Sequence, residues 1–285
     1  MNAFQRSWEI TKLSFDVMKQ DKKLFLFPIL GGIFSVLFLI AMVFPLLAGT
    51  LLPANVTGAY FWIALFGIYF GLAFISVFFN VATVYTVKTR FNGKNATFWD
   101  SIKFAFSKLH LIIAWSIISA IVGLILRIIE EIAERIGGIG EIIVKIIVSL
   151  LGLAWSLITA FVIPIMVYKN IGPIKAIKES TNTFKKTWGE SLVRYYGLGL
   201  MQFIMIIVGI VLTILLVILT AGVPVVPYIF LILGILYLVA IVTFFTIANS
   251  IFNTALYVYA TTGKAPKEYK DDILKHAFEQ KKEAK

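Results

Sequence analysis

The sequence predicts an all-α protein, a polytopic membrane helix bundle of six transmembrane helices in three hairpins, with cytoplasmic amphipathic interfacial helices. Three observations predict it. Hydrophobic residues make up 60% of the chain and charged ones 14%, with a mean hydropathy of +0.92, whereas a soluble domain carries about 25% charge. Uncharged runs such as Ile146 to Tyr168 reach across the ~30 Å hydrocarbon core at ~1.5 Å rise per residue. Between such runs lie segments that are polar on one side only. After Lys169-Asn170-Ile171-Gly172-Pro173, the side chains Ile177, Phe184, Trp188 and Leu192 recur at helical spacing, and Lys175, Lys178, Lys185 and Lys186 fall on the other faces. That pattern describes a helix lying in the membrane surface.

The chain reads as a single integral membrane domain over residues 1–285. Interfacial helices are expected at 3–23, 97–108, 173–192 and 266–282, and spans at about 24–49, 59–87, 109–126, 146–168, 197–220 and 229–259. In the first interfacial helix Phe4, Trp8, Phe15 and Met18 share a face, with Arg6, Glu9, Lys12, Asp16 and Lys19 turned away. This segment is charged throughout and lacks a short apolar core with a cleavage site, so it is expected to persist rather than act as a signal peptide. Pro28 falls in the first turns of span one, where proline is tolerated. A short uncharged loop, Thr50 to Gly58, follows. Span two contains Gly67 and Gly71, a pair that lets another helix approach closely.

Thr97-Phe98-Trp99-Asp100 reads as an N-cap with an acidic residue at N3, opening a helix with Phe98, Ile102, Phe106 and Leu109 as its apolar face. Span three reaches Arg127 after 18 residues, continues as a wet helix, breaks at Gly137-Gly138-Ile139-Gly140 and returns into span four. Pro164 cannot donate to the carbonyl of Ala160, so the last turns of span four should kink or loosen. Gly172 allows the turn that follows, and Pro173 suits the first position of the next helix. Pro224 and Pro227 mark a second uncharged turn before span six. The tail carries Ile273, Leu274, Ala277 and Phe278 on one side.

Orientation follows from lysine and arginine. The N-terminus, Lys88 to Lys108, Lys169 to Arg194 and the tail hold 23 of the 26, leaving Arg127, Arg135 and Lys145 on the opposite side. That bias places both termini in the cytoplasm of a cell-membrane protein. Internal repetition supports the plan: Phe79-Asn80-Val81-Ala82, Gly93-Lys94 and Phe104-Ala105-Phe106 are echoed by Phe252-Asn253-Thr254-Ala255, Gly263-Lys264 and His276-Ala277-Phe278. Three copies of surface helix plus helical hairpin, closed by a fourth surface helix, is the economical reading.

Several motifs carry a family resemblance. Arg6-Ser7-Trp8-Glu9, Asp21-Lys22-x-Leu24-x-x-Phe27-Pro28, Gly172-Pro173-Ile174-x-Ala176-Ile177-Lys178-x-Ser180, Thr187-Trp188-Gly189-Glu190 and Ala255-Leu256-Tyr257-x-Tyr259-Ala260-Thr261-Thr262-Gly263 resemble a domain-of-unknown-function family of archaeal and bacterial six-helix membrane proteins. The resemblance covers nearly the whole chain and implies fold and topology, with no site residue attached. More distantly, the plan is similar to the membrane domain that precedes some bacterial glycerophosphodiester phosphodiesterases. Their hydrolytic domain has no counterpart here, so that activity does not carry over.

The basic amphipathic helices carry the strongest functional signal. Trp8, Lys12, Lys19, Lys103, Lys175, Lys178, Lys185, Lys186 and Trp188 are candidate lipid-binding residues, since each lysine near an anionic leaflet contributes on the order of 1 kcal/mol and tryptophan suits the interfacial belt. The bland alternative is that topology alone put the lysines there. Arg127, Glu130, Glu131, Glu134 and Arg135 form an outer charge cluster, with Glu141 and Lys145 beside it. The cluster reads as a weak cation site or pore mouth, or as a solvated hairpin of ordinary ion pairs. Asn80, Gln202, Asn249 and Asn253 are a candidate pathway, or interhelical hydrogen-bond glue. No charged residue lies inside a span, which lowers the odds of an ion-coupled carrier.

Catalysis has little to work with. The sequence lacks cysteine, HExxH, a P-loop, GxSxG and a Rossmann fingerprint, and His110 and His276 stand apart from any carboxylate-and-nucleophile constellation. No cofactor or metal is implied. The expectation is a non-catalytic integral membrane protein that engages anionic lipid head groups or a partner at the cytoplasmic leaflet. The alternative is a homo-oligomeric channel or transporter for a small solute or lipid. Membrane lipids and further copies of the chain are the expected partners, and nucleic acid is not one.

Overall fold

A computed structural model describes residues 15–47, 58–188, 192–264 and 266, and for 45–47, 59, 60, 186–188 and 192–197 the backbone alone. These residues contain no strand, and six of their helices are long and apolar enough to cross a bilayer. The chain is a multi-pass membrane protein. Of the interfacial helix expected at 3–23, residues 15–20 are helical; the part before residue 15 lies outside the described residues, as do Thr50 to Thr57 of the uncharged loop and the tail helix apart from Pro266.

A 3-10 turn, Lys22–Phe25, leads into α1, Leu26–Leu47. Helix α2, Ala59–Phe91, runs past the expected end at Val87. Nothing before Asn92-Gly93 stops it, and Lys88 and Arg90 in its last turn suit the negative end of the helix dipole. Helix α3, Phe98–Ser107, opens with the expected capping box: the Asp100 amide donates to Thr97 Oγ1 at 3.1 Å, and the Thr97 amide donates to Asp100 Oδ2 at 2.9 Å. Helix α4, Leu109–Ile136, carries the wet segment without interruption and stops at Gly137.

Span four divides into α5, Gly138–Ile158, and α6, Val162–Lys169. The break at Thr159 to Phe161 falls one turn before Pro164. The ring leaves Ala160 O without its helical donor, and the chain resolves this with tighter turns, Ala160 N–H to Leu157 O and Val162 N–H to Thr159 O. Helix α7 is described over Pro173–Trp188 of the expected 173–192, and α8 over Leu192–Leu219; residues 189–191 lie outside the described residues. Helix α9, Val226–Thr262, has Pro227 in its first turn.

Turn geometry repeats along the chain. Helices α2, α5 and α9 each follow a residue with positive φ, Gly58, Gly137 and Val225. A second set follows α2, α6 and α9: Gly93 (φ 73°), Asn170 (φ 53°) and Gly263 (φ 69°). Glycine and asparagine tolerate that region. Val225, at φ 74°, is β-branched and strained there.

Two compact units are distinguished. In Phe27–Lys185, α2 packs along α3, α4 and α6, and α4 along α5. Its buried side chains gather in the second half of α2 (Val81, Ala82, Val84, Val87), the first half of α4 (Leu111, Ile112, Trp115) and α6 (Val162, Ile165, Met166). In Met1–Leu26 with Lys186–Lys285, α8 packs along α9. A Cβ on Gly209 would stand 2.2 Å from the Tyr237 ring and one on Gly234 2.3 Å from Thr213 Oγ1, while the Tyr237 hydroxyl donates to Met205 O at 3.2 Å. The expected close approach at Gly67 and Gly71 is partial: the Phe38 ring covers Gly71, and Gly67 meets only Met42 Cε at 3.8 Å. The most apolar windows of the six helices are only 6–22% buried within the chain, so most of their surface is left for lipid or further protein to cover.

Candidate functional site

Most buried side chains of the Phe27–Lys185 unit lie at one end, and there the short helices α3 and α7 are fastened. Helix α3 is held by aromatic and hydroxyl contacts. Tyr85 stacks on Phe104 with centroids 4.1 Å apart, Phe27 stacks on Phe98 at 5.4 Å, and Thr86 Oγ1 shares a 2.6 Å hydrogen bond with the fully buried Ser101 Oγ. Turned outward on the same helix are Trp99, 66% exposed, Lys103 and Phe106.

Helix α7 is fastened by its smallest side chains. Pro173, Ala176 and Ser180 are buried. Ser180 Oγ accepts the Phe161 amide at 3.2 Å, so the backbone donor freed by the α5/α6 break is satisfied from α7. Lys175, Lys178 and Lys185 point outward with Ile174, which is 75% exposed. An ion pair between Lys169 and Glu179 ties the end of α6 to α7.

The apolar residues named for these helices divide between protein and surface. Ile102 is buried, Phe98, Leu109, Ile177 and Phe184 are half-buried, and Phe106 is exposed. The inner lines are Ser101, Ile102 and Ala105 on α3, and Ala176 and Ser180 on α7. Small residues four apart on an otherwise amphipathic helix are the sequence signal for such a close face.

Two further lysines meet at the C-terminal end of α6. Lys88 Nζ donates to Val167 O at 3.1 Å and stands 4.6 Å from the Tyr168 ring centroid. Lys108 Nζ donates to Asn170 Oδ1 at 2.7 Å and stands 5.3 Å from the Phe104 ring. Asn170, in the left-handed conformation, closes α6, and cations suit its last carbonyls. Sequence reasoning counted Lys88 and Lys108 only toward orientation and missed this junction. Only the left-handed asparagine after a basic helix end could have pointed to it.

The other candidates are dispersed. Lys19 is exposed, with its ammonium 4.4 Å over the Phe15 ring. Trp8 and Lys12 lie outside the described residues, and so do the side chains of Lys186 and Trp188. In the charge cluster around Arg127, that residue meets Glu130 and Glu134, both at 3.5 Å, Glu131 pairs with Arg135 at 2.8 Å, and Glu141 pairs with Lys145 at 2.6 Å. Among the described residues no three acids or histidines are grouped to hold a metal ion. Asn80 sits half-buried on α2 in one unit. In the other, Gln202 is on α8, and Asn249 and Asn253 are one turn apart on α9. Asn253 Oδ1 is buried without a hydrogen-bond partner among the described residues.

No curated protein and no solved structure matches the chain. Residues 58–267, which run from the residue before α2 to just beyond α9, match the model of a family of unknown function, DUF6159, and the chain belongs to that family.

Proposed function

We propose that the chain is a non-catalytic membrane protein whose basic side engages anionic lipid head groups, in a cell membrane with both termini cytoplasmic. One observation carries the reading. Helices α3 and α7 each bury a line of small residues and turn lysine outward beside large apolar side chains, Trp99 with Lys103 and Ile174 with Lys175 and Lys178. That mixture suits a helix at head-group depth, where the ring or alkyl group enters the acyl boundary and the ammonium meets phosphate. The positive-φ residues before and after the long helices fit three copies of surface helix plus hairpin. In that plan every basic segment stands on one side of the bilayer, and α3 and α7 open the second and third copies. The distant likeness to the membrane domain of bacterial glycerophosphodiester phosphodiesterases agrees with this plan and adds no activity.

Spin-labelled lipids test the reading. With the full chain in phosphatidylcholine bilayers containing phosphatidylglycerol, the immobilised lipid fraction should be enriched in phosphatidylglycerol. The enrichment should fall with salt and fall further in the triple variant Lys103→Gln, Lys175→Gln, Lys178→Gln. Equal selectivity for the two lipids would leave the basic helices with a purely topological role.

A further inference from the structure

At the junction of α2, α4 and α6, two ammonium groups, those of Lys88 and Lys108, bond oxygens three residues apart at the end of α6, Val167 O and Asn170 Oδ1, without a countercharge. The two like charges repel each other, and neither forms an ion pair among the described residues. The nearby Glu179 carboxylate is taken by Lys169. What faces the pair instead is the C-terminal end of α6, worth roughly half an elementary charge, and the amide oxygen of Asn170. Two full positive charges against that partial one leave an excess suited to an anion. Each ammonium has three donors, of which the structure uses one on a protein oxygen. The remaining donors can meet a tetrahedral oxyanion, while the rings of Tyr168 and Phe104 provide an apolar flank.

We propose that Lys88 and Lys108, with Asn170 beside them, hold the phosphate of one anionic phospholipid at a defined site. This is distinct from the diffuse attraction of the outward lysines of α3 and α7, which lie on other faces of their helices. A lipid phosphate suits the junction better than a free one, because the flanking rings and the long apolar face of α2 accommodate the attached glycerol and acyl chains. The proposal rests on the reading of this end as the head-group side.

Native mass spectrometry of the full chain from phosphatidylcholine nanodiscs doped with phosphatidylglycerol tests it. One phosphatidylglycerol per chain should be retained at low activation. Retention should weaken about fivefold for each lysine lost, and about thirtyfold in Lys88→Gln, Lys108→Gln. It should return in Lys88→Arg, Lys108→Arg, which keeps charge and donors, and should persist in the triple variant of Lys103, Lys175 and Lys178. Unfolding in pure phosphatidylcholine serves as the folding control for each variant. If the double glutamine variant is folded and keeps its lipid as the wild type does, the site is refuted, while the outward lysines stand or fall by their own variant. If inorganic phosphate shifts wild-type unfolding and phosphatidylglycerol is not retained, the pair serves a soluble phosphate and the lipid assignment is overturned.

Discussion

Ser180→Ala removes a single oxygen, and the structure says what that oxygen does. The Phe161 amide at the α5/α6 break has no helical acceptor, donates to Ser180 Oγ at 3.2 Å, and belongs to a residue that is itself fully buried, as is Ser180. With alanine the amide is orphaned where water cannot replace the acceptor. Orphaning a buried donor costs roughly 1–3 kcal/mol, offset in part because the hydroxyl no longer has to be buried. We expect a net loss of about 2 kcal/mol, or about thirtyfold in the local opening equilibrium. Ser101→Ala is the matched control. Its partner Thr86 keeps an acceptor for its one hydroxyl proton, Ala82 O at 2.9 Å, so the deletion strands no donor and should cost less than about 1 kcal/mol. Hydrogen exchange across residues 159–165, with denaturant unfolding in micelles, reads both. Exchange at Phe161 should quicken in Ser180→Ala alone. If that variant is as stable and as protected as the wild type, Ser180 does not hold the break and α7 is fastened some other way.

Other expectations follow from the same geometry. Gly234→Ala should destabilise the α8/α9 pair by about 1–3 kcal/mol in micelle unfolding, because the new methyl meets Thr213 at its Cβ as well as its tips. Val225→Gly should raise the unfolding temperature, since relief of a β-branched residue at φ 74° exceeds the entropy that glycine adds to the unfolded chain. Arg127→Gln should leave micelle unfolding unchanged, because its partners Glu130 and Glu134 are exposed and screened.

The helices were legible because hydropathy and helical period act locally. The box at Thr97 and Asp100, the stop at Gly137 and the break before Pro164 each follow from the local chemistry of one or two residues. Helix ends were less legible where charge and turn residues disagree: Lys88 and Arg90 read as the end of span two, yet the chain stays helical to Phe91 because the first left-handed glycine is Gly93. The protein-facing sides of α3 and α7 were not legible for a different reason. Periodicity ranks large apolar residues as buried, but beside lipid a large side chain can face outward without penalty, and close approach selects Ser101, Ala105, Ala176 and Ser180 instead. The Lys88 and Lys108 junction joins residues far apart in sequence through a backbone carbonyl and a left-handed asparagine, neither of which has a periodic signature.

The central claim is that α3 and α7 lie at head-group depth, and Trp99 reports on it directly. Its fluorescence, taken as the difference between wild type and Trp99→Phe in phosphatidylcholine bilayers containing phosphatidylglycerol, can be quenched by bromine placed high or low on the acyl chain, or by aqueous iodide. The account expects strongest quenching by bromine nearest the head group and little by iodide. Quenching by iodide alone would put Trp99 in water and contradict the claim.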